Sequence, residues 1–279
     1  DAPSDTLAAV DEFTVTVDFK SLYKERKIIL TNLFINGVSA NLFTAADGRS
    51  NLDVFGTGEP EPEPEPEKES GDLDIYADLQ KIKVDGINAS YTDLSSGTLA
   101  AIKELDVELK GLLNYDSLEA KTGVKIASIT AAINNDSTDL SASLNDFRIN
   151  GNLTKFGSDV NADLTLNLKE TKAAMGDINA QIDGIKFILD KLNCTLGNEG
   201  LGDVTAGLNI SVADVKAALP GISASTGNIT MKTPSAIFTG DSAHVSDFTF
   251  DTRAIAVEMQ DSTGVITKAD IEKVLVGLD

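Results

Sequence analysis

Apolar and polar residues alternate with a period of two along most of this chain, and one phrase of that alternation keeps returning. Its form is apolar-x-x-apolar-x-apolar-x-Gly. Leu79, Ile82 and Val84 lead to Gly86; Ile102, Leu105, Val107 and Leu109 lead to Gly111; Leu144, Phe147 and Ile149 lead to Gly151. Met175, Ile178, Ala180 and Ile182 lead to Gly184, and Val245, Phe248 and Phe250 repeat the phrase without its glycine. A period of two places one row of side chains on one face of a strand. The glycine is expected to supply a bulge or tight turn.

Strands are predicted over 13–19, 27–38 and 39–43, and then one after another from Leu73 to Phe250, with turn clusters such as Ser95-Ser96-Gly97 and Asn134-Asn135-Asp136-Ser137 between them. Such spacing argues an all-β fold. Two helices are expected. Ser211-Val212-Ala213-Asp214 resembles a capping box, and Pro220-Gly221 would end the short helix it starts. At the C-terminus, over 267–277, Thr267 caps while Ile271, Val274 and Leu275 share a face. The predicted class is mostly β: a long curved antiparallel sheet forming a groove or a flattened sandwich, in a single elongated domain over 1–279.

Charge and composition narrow the partners. The net charge is −21, so phosphate backbones repel the chain and nucleic acid is not an expected partner. Anionic membrane surfaces likewise exert no overall attraction. From Glu59 to Glu67 glutamate and proline alternate without a break, so the segment over 59–70 is expected to be a disordered acidic insertion. The single cysteine, Cys194, excludes an internal disulfide and reads as a small buried hydrophobe. The chain opens on Asp1, which points to a removed N-terminal piece, and no stretch reaches the roughly 18 apolar residues of a membrane span.

A sheet of a dozen or more strands with one or two helices cannot cover its own apolar face by helices. It must close on itself, face another sheet, or face a ligand. The alternation alone favours a closed core. The candidate ligand-facing residues are Leu33, Ile35, Ile82, Val84, Leu105, Val107, Leu109, Phe147 and Ile149, with Lys83 and Glu108 on the opposite face. No catalytic residue, metal site or cofactor is predicted, and the chain is not expected to be an enzyme. One histidine, His244, and one cysteine cannot build a zinc site, and no nucleophile elbow or phosphate-binding loop occurs. Asp47-Gly48-Arg49-Ser50-Asn51 reads as a turn in place of a calcium loop, because it lacks the closing glutamate.

The stretch from Leu30 to Asp53 resembles the AsmA-like family of bacterial envelope proteins. The features that carry the resemblance are the strand ending in Gly37-Val38, the run Ala46-Asp47-Gly48-Arg49-Ser50-Asn51-Leu52, a low-complexity insertion, and the strand from Leu79 to Asp93. Ser96-Gly97-Thr98 and Leu105-Asp106-Val107-Glu108-Leu109-Lys110-Gly111 continue it. It extends from Phe13 to about Gly151, with Leu52 standing where the family usually has tryptophan. The resemblance implies a curved β-groove of a bridge-like lipid-transfer type, acting in outer-membrane biogenesis. It implies a periplasmic location, an inner-membrane anchor in the missing N-terminal part, and phospholipid and envelope proteins as partners. A structural module assisting outer-membrane protein assembly, without lipid cargo, is the alternative.

Overall fold

A computed structural model describes residues 7–25, 28–55, 77–113, 117–197, 200–240 and 242–278, so the Glu/Pro segment over 59–70 lies outside the described residues. The elements are β1 (Ala8–Val17), α1 (Phe19–Glu25), β2 (Ile28–Thr44), a 3-10 turn (Asn51–Phe55), β3 (Ala77–Asp93), β4 (Thr98–Leu113), β5 (Ser117–Asn135), β6 (Thr138–Phe156), β7 (Asp159–Met175), β8 (Ile178–Gly197), β9 (Gly200–Leu219), β10 (Ile222–Thr226), β11 (Ile229–Thr239), β12 (Ser242–Ser246), β13 (Phe248–Gln260) and β14 (Ile266–Leu278). All fourteen strands belong to one sheet.

Neighbouring strands are antiparallel except β2 and β3, which run parallel and are joined by the long connection that contains the 3-10 turn. The expected break between 38 and 39 is absent: β2 is a single strand that passes through Gly37 at a φ of 66°. Beyond it, Asn51 folds back onto the same strand. Its amide donates to the Asn41 carbonyl at 2.7 Å, and its side-chain oxygen accepts from the Phe43 N–H at 2.9 Å. β10 and β11 lie end to end between β9 and β13, and β12 and β13 likewise continue one line along β11. Fourteen strands therefore fill twelve rungs, a sheet about 50 Å across at ~4.8 Å per strand.

The recurring phrase has a geometric meaning. From β4 onward, two residues separated by two positions, apolar except for Thr171, face the same pair on the next strand. Ile102 and Leu105 meet Ile129 and Ile126; these meet Leu144 and Phe147; then Thr171 and Leu168; then Ile182 and Ile185; then Val215 and Val212. The two intervening residues reset the alternation, so the apolar residues on both sides share one face. Glu104, Asp146 and Ala254 absorb the reset with φ values of 50–52°. The result is a crease running across the sheet. Two copies of the phrase place their unusual backbone in this doublet rather than at the terminal glycine, at Glu104 and Asp146, and the glycine-free copy does the same at Asp247, where β12 gives way to β13.

Both expected helices are strands. Residues 211–219 are the last part of β9, and 267–277 belong to β14, which pairs with β13 from Phe248↔Leu278 to Gln260↔Ile266. The one α-helix among the described residues, α1, is a short connector capped by Asp18, whose carboxylate accepts from the Lys20 N–H at 2.9 Å and the Ser21 hydroxyl at 2.7 Å.

The phrase glycines are not equivalent. Gly86 sits at a φ of 67°, whereas at Gly151 φ is not positive and an added Cβ would meet only ordinary contacts of 3.4–3.5 Å. Gly86→Val is therefore expected to cost more than ~1 kcal/mol, and Gly151→Val clearly less. Chemical denaturation of the two variants checks this; equal costs would remove the distinction.

Candidate functional site: an uncovered aliphatic sheet face

The nine sequence-predicted residues share one face and one neighbourhood. Leu33, Ile82 and Leu109 form one transverse row; Ile35, Val84 and Val107 form the next. That second row continues through Val124 to Ile149, and Leu105 continues through Ile126 to Phe147. All nine are half-buried. Lys83 and Glu108 pair with each other on the opposite face.

The rows run well past the predicted set. Ile149 is followed across the sheet by Leu166, Phe187, Ile210, Met231, Phe250 and Val276. Phe147 is followed by Leu168, Ile185 and Val212. Nothing in the described structure covers this face. Among the described residues no side chain is fully buried, and the only buried apolar ones are Leu168, at 9% exposure, and Ala236, at 8%. A second sheet packed ~10 Å away would bury most of an inner face. Each strand instead packs on its hydrogen-bonded neighbours. The closed core favoured by the alternation is thus not what the described residues form.

The other face is a lattice of short-range ion pairs. Lys83 bonds Asp85; Lys125 lies 3.5 Å from Asp106, Arg148 2.7 Å from Asp146, Lys172 2.8 Å from Glu170, and Lys216 2.8 Å from Asp183. The hydrogen bond that Lys83 donates to Asp85 raises the Lys83 pKa above the usual lysine value. Those from Lys216 and from Lys172 hold the Asp183 and Glu170 carboxyls below theirs. Solvated pairs of this kind add little stability and keep the face wet.

Near the hairpin turns the apolar face changes character. From β4 to β10 every strand contributes an alanine in one unbroken register: Ala100, Ala131, Ala142, Ala173, Ala180, Ala217 and Ala224. A cavity of about 970 Å³ follows this row. Its flanks are Ala101, Thr130, Ser143, Lys172 and Gln181 on one side and Leu99, Ala132, Ser141 and Ala174 on the other. The large aliphatics two residues away on the apolar face, Ile129, Leu144, Ile133 and Leu140 among them, do not line it. Side chains one residue off the row point to the opposite face. The cavity therefore opens on the charged face, back to back with the aliphatic one. Sequence reading missed this row. Its signal is a mirror repeat about the turns, as in Ala173-Ala174-Met175 and Ile178-Asn179-Ala180, or Ala217-Ala218-Leu219 and Ile222-Ser223-Ala224.

Among the described residues no group of His, Cys, Asp and Glu side chains is arranged to hold a metal. His244 is exposed and shares a hydrogen bond with the Ser246 hydroxyl, 3.2 Å away. Cys194 lies half-buried on the apolar face between Val160 and Val204. No described helix is long and apolar enough to cross a membrane. No family model matches the chain, and neither a curated protein nor a solved structure matches it.

Proposed function

We propose that this chain is a non-enzymatic, lipid-handling protein of the bacterial periplasm. In this reading it shields phospholipid acyl chains on its aliphatic sheet face during transport between membranes in outer-membrane biogenesis, as part of an inner-membrane-anchored protein. One observation carries it: an apolar face about twelve rungs wide over which the described residues place no protein layer. Exposing such a face to water is costly, so it calls for an occupant. Its chemistry favours acyl chains over a protein. Protein interfaces are enriched in Trp, Tyr and Arg, whereas the rows here are chiefly Leu, Ile and Val, with Phe147, Phe187, Phe250 and Met231 among them, and the chain has no tryptophan. The resemblance of residues 13–151 to the AsmA-like family supports the same reading.

Native mass spectrometry of the purified chain is expected to show co-purified phospholipid. A photo-crosslinkable phospholipid is expected to label the rows through Val84 and Ile149 and to spare Lys83 and Glu108. Absence of both signals would favour a structural module without lipid cargo.

A further inference from the structure

The two ends of the strands differ in chemistry. At one end the hairpin turns carry Asp93, Asp136, Asp139, Asp177 and Asp261. The other end, where α1 joins β1 to β2, carries exposed rings. Phe19 and Tyr23 lie one helical turn apart on α1, 73% and 92% exposed, and Phe156 at the end of β6 is 78% exposed. Phe238 near the end of β11 extends the exposed apolar set along the same edge of the molecule. Exposed lysines accompany the rings on α1, Lys20 and Lys24, and Lys155 precedes Phe156. The Asp18 cap makes α1 an ordered helix that holds its aromatic pair outward.

We propose that this end of the sheet docks on the headgroup region of an anionic phospholipid bilayer. Aromatic rings beside lysines on a short helix are the chemistry that settles in a membrane interface: the rings enter the headgroup boundary and the ammonium groups meet lipid phosphates. The overall charge of −21 does not prevent this. The turn aspartates lie a strand length away, roughly 60 Å for the 19 residues of β5 at ~3.3 Å per residue, against a screening length of ~8 Å in physiological salt. The turn end also exposes apolar residues, Met175, Ile178 and Met259 among them, but its aspartates would face the lipid phosphates there. The α1 end has exposed acids of its own, Glu119, Asp159 and Asp203, but on α1 Lys20 and Lys24 flank the rings, so charge selects the helix and not the whole edge as the point of contact. The docking surface is separate from the aliphatic face and stands whether or not that face carries lipid.

Co-sedimentation of the whole chain with phosphatidylcholine vesicles, with and without phosphatidylglycerol, tests the proposal. Binding to the anionic vesicles is expected, weakened by salt. It is expected to fall by about tenfold or more in the double variant Phe19→Ser, Tyr23→Ser, whose side chains are too exposed to matter for folding. Lys20→Glu with Lys24→Glu should weaken binding to the anionic vesicles alone. Because the chain has no tryptophan, Tyr23→Trp gives a single reporter, and its emission is expected to shift to the blue on binding. Met175→Ser with Ile178→Ser, at the other end, should bind as the wild type does. Absent wild-type binding, unchanged binding in the aromatic variant, equal binding to both vesicle types, or loss in the variant of the turn end would each overturn the proposal.

Discussion

Val84→Asp and Ile149→Asp are expected to leave the protein folded while abolishing lipid labelling along their row. The two residues share a transverse row, Val84 on β3 and Ile149 on β6, joined through Val107 and Val124. Both are half-buried. Under a second sheet a single carboxylate would cost several kcal/mol, enough to unfold a domain whose whole stability is ~5–15 kcal/mol. On an uncovered face the carboxylate keeps its water, and the cost reduces to the lost apolar contact, about 1 kcal/mol for a half-buried side chain. An acyl chain laid over that carboxylate must strip its water. The penalty then falls on binding, where every 1.4 kcal/mol is tenfold. Circular dichroism melting and photolabelling separate the two effects, with Lys83→Ala on the opposite face as the control. Unfolding of both variants would mean that a covering layer exists and that the lipid reading fails. Folded variants that label as strongly as the wild type would place the lipid elsewhere.

The face itself was legible in the sequence because a period of two survives any choice of partner strand. All nine candidate residues fell on one side, and Lys83 and Glu108 on the other, since parity alone decides the side. The crease was only half legible. Its spacing, apolar-x-x-apolar, was visible as a repeat, but its physical content was assigned to the glycine that ends the phrase. The structure gives that part to Glu104 and Asp146, charged residues for which positive φ is rare and which no local rule marks out. The same spacing produced the mistaken C-terminal helix, whereas the one after Ser211 rested on the capping-box pattern Ser211-Val212-Ala213-Asp214 and the stop at Pro220-Gly221. Ile271 and Val274 in β14 span the doublet. A gap of three followed by apolar neighbours imitates one face of a helix. In β14 the twelve paired positions along β13, reinforced by the ion pairs from Lys268 to Glu258 and from Lys273 to Asp251, decide for the strand. The alanine row was invisible for a different reason. Alanine weighs little in any periodicity, and its alignment is created only when seven strands are set in register. Whether the apolar face closes on itself is also beyond a pattern of alternation, because an inner sandwich face and an open sheet face alternate alike.

Gly97→Val is expected to cost roughly 2–4 kcal/mol. Gly97 closes the turn between β3 and β4 at a φ of 71°. That turn is held by Asp93, whose carboxylate accepts from the Ser95 hydroxyl at 2.6 Å and the Ser96 hydroxyl at 2.8 Å, bonds that draw its pKa down to about 2. The turn also leans on the end of β5: the Asn134 N–H donates to the Gly97 carbonyl at 2.9 Å, and the Asn135 amide to the Ser96 carbonyl at 3.0 Å. A Cβ at position 97 would stand 2.1 Å from the Asn134 carbonyl oxygen, a main-chain atom with no rotamer to yield. The backbones must separate, and the hydrogen bonds between the turn and the end of β5 go with them. Gly157→Val supplies the comparison. Its φ is also positive, at 56°, yet nothing lies within 4 Å of its added Cβ, so only the backbone strain of ~1–2 kcal/mol remains. The difference between the two urea midpoints isolates the contact between the first hairpin turn and β5. A clear excess for Gly97 means that this contact fixes the register in which Ala100 meets Ala131. Equal losses would show that the turn is free of its neighbour and that the alanine row is aligned by the strand ladders alone.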